Sequence, residues 1–160
     1  MSNKTTFTPE EWSVISGAPH TVAMAIASAG GGVMGAMKEA FSAAQIMAGS
    51  MNSSNELIRS ICNTEEIKAA EKALRDMVMA DPTRAGETLK TNASEQVKQA
   101  MALIAKKSAA DSDAYRTFIT QIADAVAQAA KEGGFLGFGG ERVSAGETDI
   151  LNSLKAAMAS

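Results

Sequence analysis

The residues of this 160-residue chain that could form a nucleophile and its base are Cys62 and His20, its only cysteine and only histidine, with scattered carboxylates as the remaining reactive groups. A thiolate needs a base within hydrogen-bond reach, and these two are so far apart in sequence that only a tertiary approach would join them. Cys62 follows Leu57, Ile58 and Ile61, surroundings that suit a small buried hydrophobe better than a reactive thiol. One cysteine and one histidine also cannot supply the donor set of a zinc site. A di-metal carboxylate centre draws Glu-x-x-His pairs from a helical bundle. His20 has no Glu three residues before it, and Glu65, Glu66, Glu71 and Asp76 read as solvated charges on the polar side of one helix. No Ser-His-Asp context and no P-loop occurs. No catalytic residue, metal ligand or cofactor is therefore expected.

Gly30-Gly-Gly32-Val-Met-Gly35 satisfies GxGxxG formally. That fingerprint works only after a strand within a βαβ unit, and the segment before Gly30 is helical in pattern. Gly31 and Gly35 are also spaced as GxxxG, which permits close helix approach, so a tight crossing is the simpler use. Two apolar features remain. Met24, Met34 and Met37, with Met47 and Met51 beyond them, surround the least charged part of the chain, and methionine surfaces repack readily around apolar ligands. Glu132-Gly-Gly-Phe-Leu-Gly-Phe-Gly-Gly-Glu141 places Phe135, Leu136 and Phe138 on a glycine-rich connector longer than a helical turn requires. These three are candidate anchors for self-association or for a protein partner.

The elements that must position these residues are helices. Thr8 and Glu11 form a capping box, Pro9 takes the first helical position, and Phe7 and Trp12 make a hydrophobic staple. The pattern predicts a helix that stops near Ser16-Gly17, a second opening at Pro19 and running to about Ala29, and a third over 33–48. Between Thr21 and Met37 there is no charge, which predicts buried central helices. The run approaches membrane-spanning length, but its Ala, Gly, Ser and Met content scores weakly for insertion, so stable membrane insertion is not expected. Leu57, Ile58 and Ile61 mark a short helix. Asn63 and Glu66 cap one with Ile67, Ala70, Leu74, Met77 and Val78 on its apolar side. Asp81-Pro82 starts a short helix and Ser94 caps another carrying Val97, Met101 and Ile104. Ser112 or Asp111 begins the most regular one, with Tyr115, Phe118, Ile119, Ile122 and Val126 in register. Ser144 and Glu147 repeat the capping box before Ile150, Leu151 and Leu154.

The expected fold is all-α, a single domain over 1–160 of about seven or eight helices, with a Gly/Phe-rich loop before the last and residues 1–7 as a tail. Alanine makes up roughly a fifth of the chain and aromatics only 4%, a balance that favours helix over sheet. A net charge of −3 argues against sequence-independent nucleic-acid binding. Lys90, Lys98, Lys106 and Lys107 spread over a solvated face. A lone cysteine and the absence of an apolar leader suit the cytoplasm. The function expected is a non-enzymatic helical interaction or accessory module that self-associates or meets a protein partner. The alternative is a carrier or sensor holding an apolar small molecule between Met- and Ala-rich helices, with Met24, Met34 and Met37 lining its pocket.

Overall fold

The computed structural model describes residues 2–29, 33–132 and 145–159, with side chains at 2–29, 42–129 and 145–159. Seven α-helices make up nearly all of it: α1 Pro9–Ala29, α2 Val33–Ser50, α3 Glu56–Ile61, α4 Thr64–Ala80, α5 Ala85–Lys107, α6 Ser112–Glu132 and α7 Ala145–Ala159. No strand occurs among the described residues, and the all-α bundle expected from composition and periodicity is present. Helix α1 is the hub, packing on α5, α6, α2, α4 and α7, while α2 lies along α6 and α7 along α5. Twelve of its 21 residues are buried, whereas α4 buries none. The helix that least resembles an amphipathic surface helix therefore occupies the centre, and the most amphipathic stripe lies on the outside.

The start of α1 forms as its residues dictate. Thr8 N–H donates to Glu11 Oε2 at 2.9 Å and Glu11 N–H to Thr8 Oγ1 at 3.3 Å. The Phe7 and Trp12 rings lie 6.2 Å apart, closing the staple, with Lys107 Nζ 5.8 Å from the Phe7 ring centre. Residues 2–7, read as a tail, are tied down. Lys4–Thr6 form a 3-10 turn and Phe7 is buried. Ser2 donates through its backbone N–H and its Oγ to Asp111 Oδ2, both at 2.8 Å.

Two predicted helix breaks are absent. The stop at Ser16-Gly17 and the new start at Pro19 are replaced by one continuous α1 with Pro19 inside it. Proline lacks the N–H that would reach Ile15 O and crowds that carbonyl. Tyr115 Oη–H donates to the same oxygen at 2.8 Å, and Ile15 and Tyr115 are fully buried. Ser16 Oγ bonds Trp12 O, Thr21 Oγ1 bonds Gly17 O and Gln96 Nε2 bonds Val14 O, so the carbonyls flanking the proline are also met by side chains. Gly17 sits where α5 crosses, and a Cβ there would lie 2.7 Å from Gln96 Nε2.

The second absent break is at Ser94, expected as a cap. Helix α5 runs through it, and Ser94 Oγ donates back to Thr91 O. Leu89, Ala93, Val97, Ala100, Met101 and Ile104 are all buried, so one apolar stripe continues across the polar Asn92 and Ser94 and overrides their preference for caps. The 19–48 pair is also not uniformly buried. On α2, Ala43 and Met47 are buried while Ala44 and Ala48 are exposed. The Gly30–Gly32 crossing and the Ser144 cap lie outside the described residues.

Candidate functional site

Three helices each contribute one stripe to an open cavity of about 180 Å³. From α1 come His20, Ala23 and Met24; from α2 and its end, Ala43, Ala44, Met47, Ala48 and Met51; from α4, Ile67, Glu71 and Leu74. Spacings of three and four keep each set on one helical face. The walls exist because the facing residues are small or adaptable: alanines on α1 and α2 leave space that methionine, with its three flexible torsions, lines without filling. Helix α4 forms the outer wall. Its apolar residues Ile67, Leu74, Met77 and Val78 are only half-buried, so it covers the site without sealing it.

The amino-terminal end of α4 is the fixed end. Asn63 Oδ1 accepts from Glu65 N–H at 2.8 Å, and Glu66, expected as a solvated charge, accepts from Trp12 Nε1 at 2.7 Å and pairs with Lys4. A second cavity of about 200 Å³ lies farther along the same seam between α1, α4 and α5, bordered by polar Ser13, Ser16, Thr21 and Gln96. Leu74 borders both.

His20 is the polar feature of the apolar cavity. It is 8% exposed, and no described residue hydrogen-bonds to its ring. Burial lowers its pKa from 6.5 to about 4, because an uncompensated imidazolium would lose hydration there. The ring is therefore neutral at pH 7, with one N–H donor and one acceptor nitrogen. Glu71 is exposed at the opening and gives the mouth an acidic edge.

Cys62 borders neither cavity. It is fully buried at the end of α3, and burial pushes its thiol up to about 12, against a smaller opposite pull from a Ser50 hydrogen bond. Such a thiol is not a nucleophile at neutral pH. No cluster of three or more potential metal ligands occurs among the described residues.

Of the residues singled out for an apolar pocket, Met24 lines the cavity. Met34 and Met37 lie on α2, but their side chains fall outside the described set, as do Phe135, Leu136 and Phe138. Sequence reasoning did not place α4 in the wall. Its half-polar stripe beside an Ala-rich helix was the available signal, since such a stripe must rest on something that leaves room for it.

No described helix is long and apolar enough to cross a membrane. No known protein family matches the chain, and no curated protein or solved structure is similar to it.

Proposed function

We propose that the protein is a non-enzymatic binding module, a carrier or sensor that holds a small apolar molecule between α1, α2 and α4. The observation that supports this most is the Met24–Met47–Met51 cavity. At about 180 Å³ it has the volume of an apolar cavity that takes up benzene, about 150 Å³, although it opens to solvent beside α4. It falls below the roughly 300 Å³ lower bound of ordinary drug-sized pockets, so the ligand is a single ring or a short chain. The half-buried α4 supplies a wall that can yield to admit it.

The rival reading, a self-associating module, rests on Phe135, Leu136 and Phe138, outside the described residues. On the described surface only Met79, 69% exposed, is a large exposed apolar side chain, which offers no contiguous patch for a partner. A catalytic role gains no support from His20 and Cys62, since the cavity includes only the former.

Methyl-labelled methionine tests the proposal. Benzene added to the protein should shift the Met24, Met47 and Met51 methyl resonances and leave that of exposed Met79 in place. Shifts confined to Met79, or none up to benzene saturation, would refute the binding reading.

A further inference from the structure

Buried, unpartnered polar groups are rare because each forgoes hydrogen bonds it had in water. Where one lines a cavity that is otherwise apolar, the missing partner is the natural property of whatever fills that space. His20 lines such a cavity without a hydrogen-bond partner among the described residues. The residue is 8% exposed, its ring makes no hydrogen bond to a described residue, and it stands in the wall beside Ala23, Met24 and Met47. Its nitrogens are not among the side-chain polar atoms sealed from solvent without a partner, so the ring can still reach a hydrogen-bonding guest.

Building on the binding reading above, we infer that His20 is a specificity-determining anchor. It selects a small neutral hydroxylated molecule, a phenol or short-chain alcohol, whose apolar body packs on the methionines while its O–H bonds the imidazole.

A hydroxyl both donates and accepts, so it suits either tautomer of the neutral ring. A carboxylate does not suit the site. Leaving water would cost it heavily in an apolar pocket, Glu71 at the opening repels it, and the imidazole resists the protonation that would offset its charge. A hydrocarbon fits the space but leaves the imidazole unbonded. A site with a buried polar group of this kind discriminates against the analogue that lacks the matching group.

Three one-ring probes of nearly equal size separate these possibilities: benzene, phenol and benzoate, titrated at pH 7 against the full chain with the methionine methyl shifts as readout. Phenol should bind about fivefold more tightly than benzene, the order of one neutral hydrogen bond, and benzoate should not bind measurably. In His20→Leu the phenol preference should vanish, and in His20→Gln, which keeps a donor and an acceptor, part of it should return. In the unmodified chain the ring signals of the sole histidine should shift with phenol and not with benzene, a result independent of how any variant folds.

Equal affinity for benzene and phenol, an unmoved His20 ring on phenol binding, or a preference that survives in His20→Leu would overturn the anchor while leaving the apolar-cavity reading intact. Tightest binding of benzoate would overturn it in favour of an anionic ligand. Failure of all three probes to move the cavity methyls would overturn both.

Discussion

Replacing Tyr115 by Phe removes one oxygen from the centre of the molecule, and the cost of that change depends on a residue in another helix. Tyr115 Oη donates to Ile15 O at 2.8 Å, with both residues fully buried. In an uninterrupted helix Ile15 O would accept from the N–H of residue 19, but residue 19 is proline. Tyr115→Phe therefore leaves a buried carbonyl with no donor, a penalty of about 2 kcal/mol within the usual range for orphaned buried groups. For a chain of this size that corresponds to a melting temperature lower by about 4–8 °C. Pro19→Ala returns an N–H to the same oxygen, so Tyr115→Phe in that background should cost about 1 kcal/mol less than in the parent chain. Urea titrations of the four proteins, followed by Trp12 fluorescence and helical circular dichroism, close the cycle. Additive effects, with a coupling below about 0.5 kcal/mol, would refute the claim that Tyr115 stands in for the bond that Pro19 abolishes.

The neutral state of His20 makes a second, pH-dependent prediction. Its folded pKa of about 4 lies below its ordinary 6.5, so the unfolded chain binds a proton that the folded chain refuses. The stability from this site is complete above pH 6.5 and is lost as pH falls towards 4. Between pH 7 and pH 5 the unfolding free energy should drop by about 2 kcal/mol, and a His20→Gln variant should show a flatter profile in the same denaturant titrations. Asp111 acts lower. Burial alone would raise it, but hydrogen bonds from Ser108, Asn55 and Ser2 outweigh burial and hold it at about 2, so its contribution is lost only as pH falls below 3.8. Asp111→Ala should cost about 3 kcal/mol at pH 7, because hydrogen bonds to a charged acceptor are lost and buried donors are stranded; a loss of unfolding free energy in urea titrations below about 1 kcal/mol would refute it. Leu74→Ala should merge the two cavities that Leu74 borders. It should cost about 1–2 kcal/mol, less than a fully buried Leu, and naphthalene should then shift methyl signals that it leaves unmoved in the parent chain.

Helix content, the α1 start, the short α3, the α4 cap and the apolar face of α6 were all legible in residue order. Each rests on interactions within one or two turns: the Thr8–Glu11 box, the Phe7–Trp12 staple, the Asn63 cap, and the period that keeps Tyr115, Phe118, Ile119 and Ile122 in register. What local rules misjudged was where helices end. Pro19 and Ser94 are breakers by their own chemistry, and both were overruled from a distance: Pro19 because Tyr115 bonds the carbonyl it frees, Ser94 because a buried stripe from Leu89 to Ile104 passes through it. The site divides in the same way. That methionines and alanines cluster on uncharged helices is a property of the sequence, and so is the poverty of catalytic and metal-binding residues. That His20 and Met24 on α1 meet Met47 of α2 at a cavity walled by α4, while Cys62 stays outside it, is decided by how α1, α2 and α4 meet. A cavity is the volume that packing leaves unfilled, and no single segment of the chain encodes it.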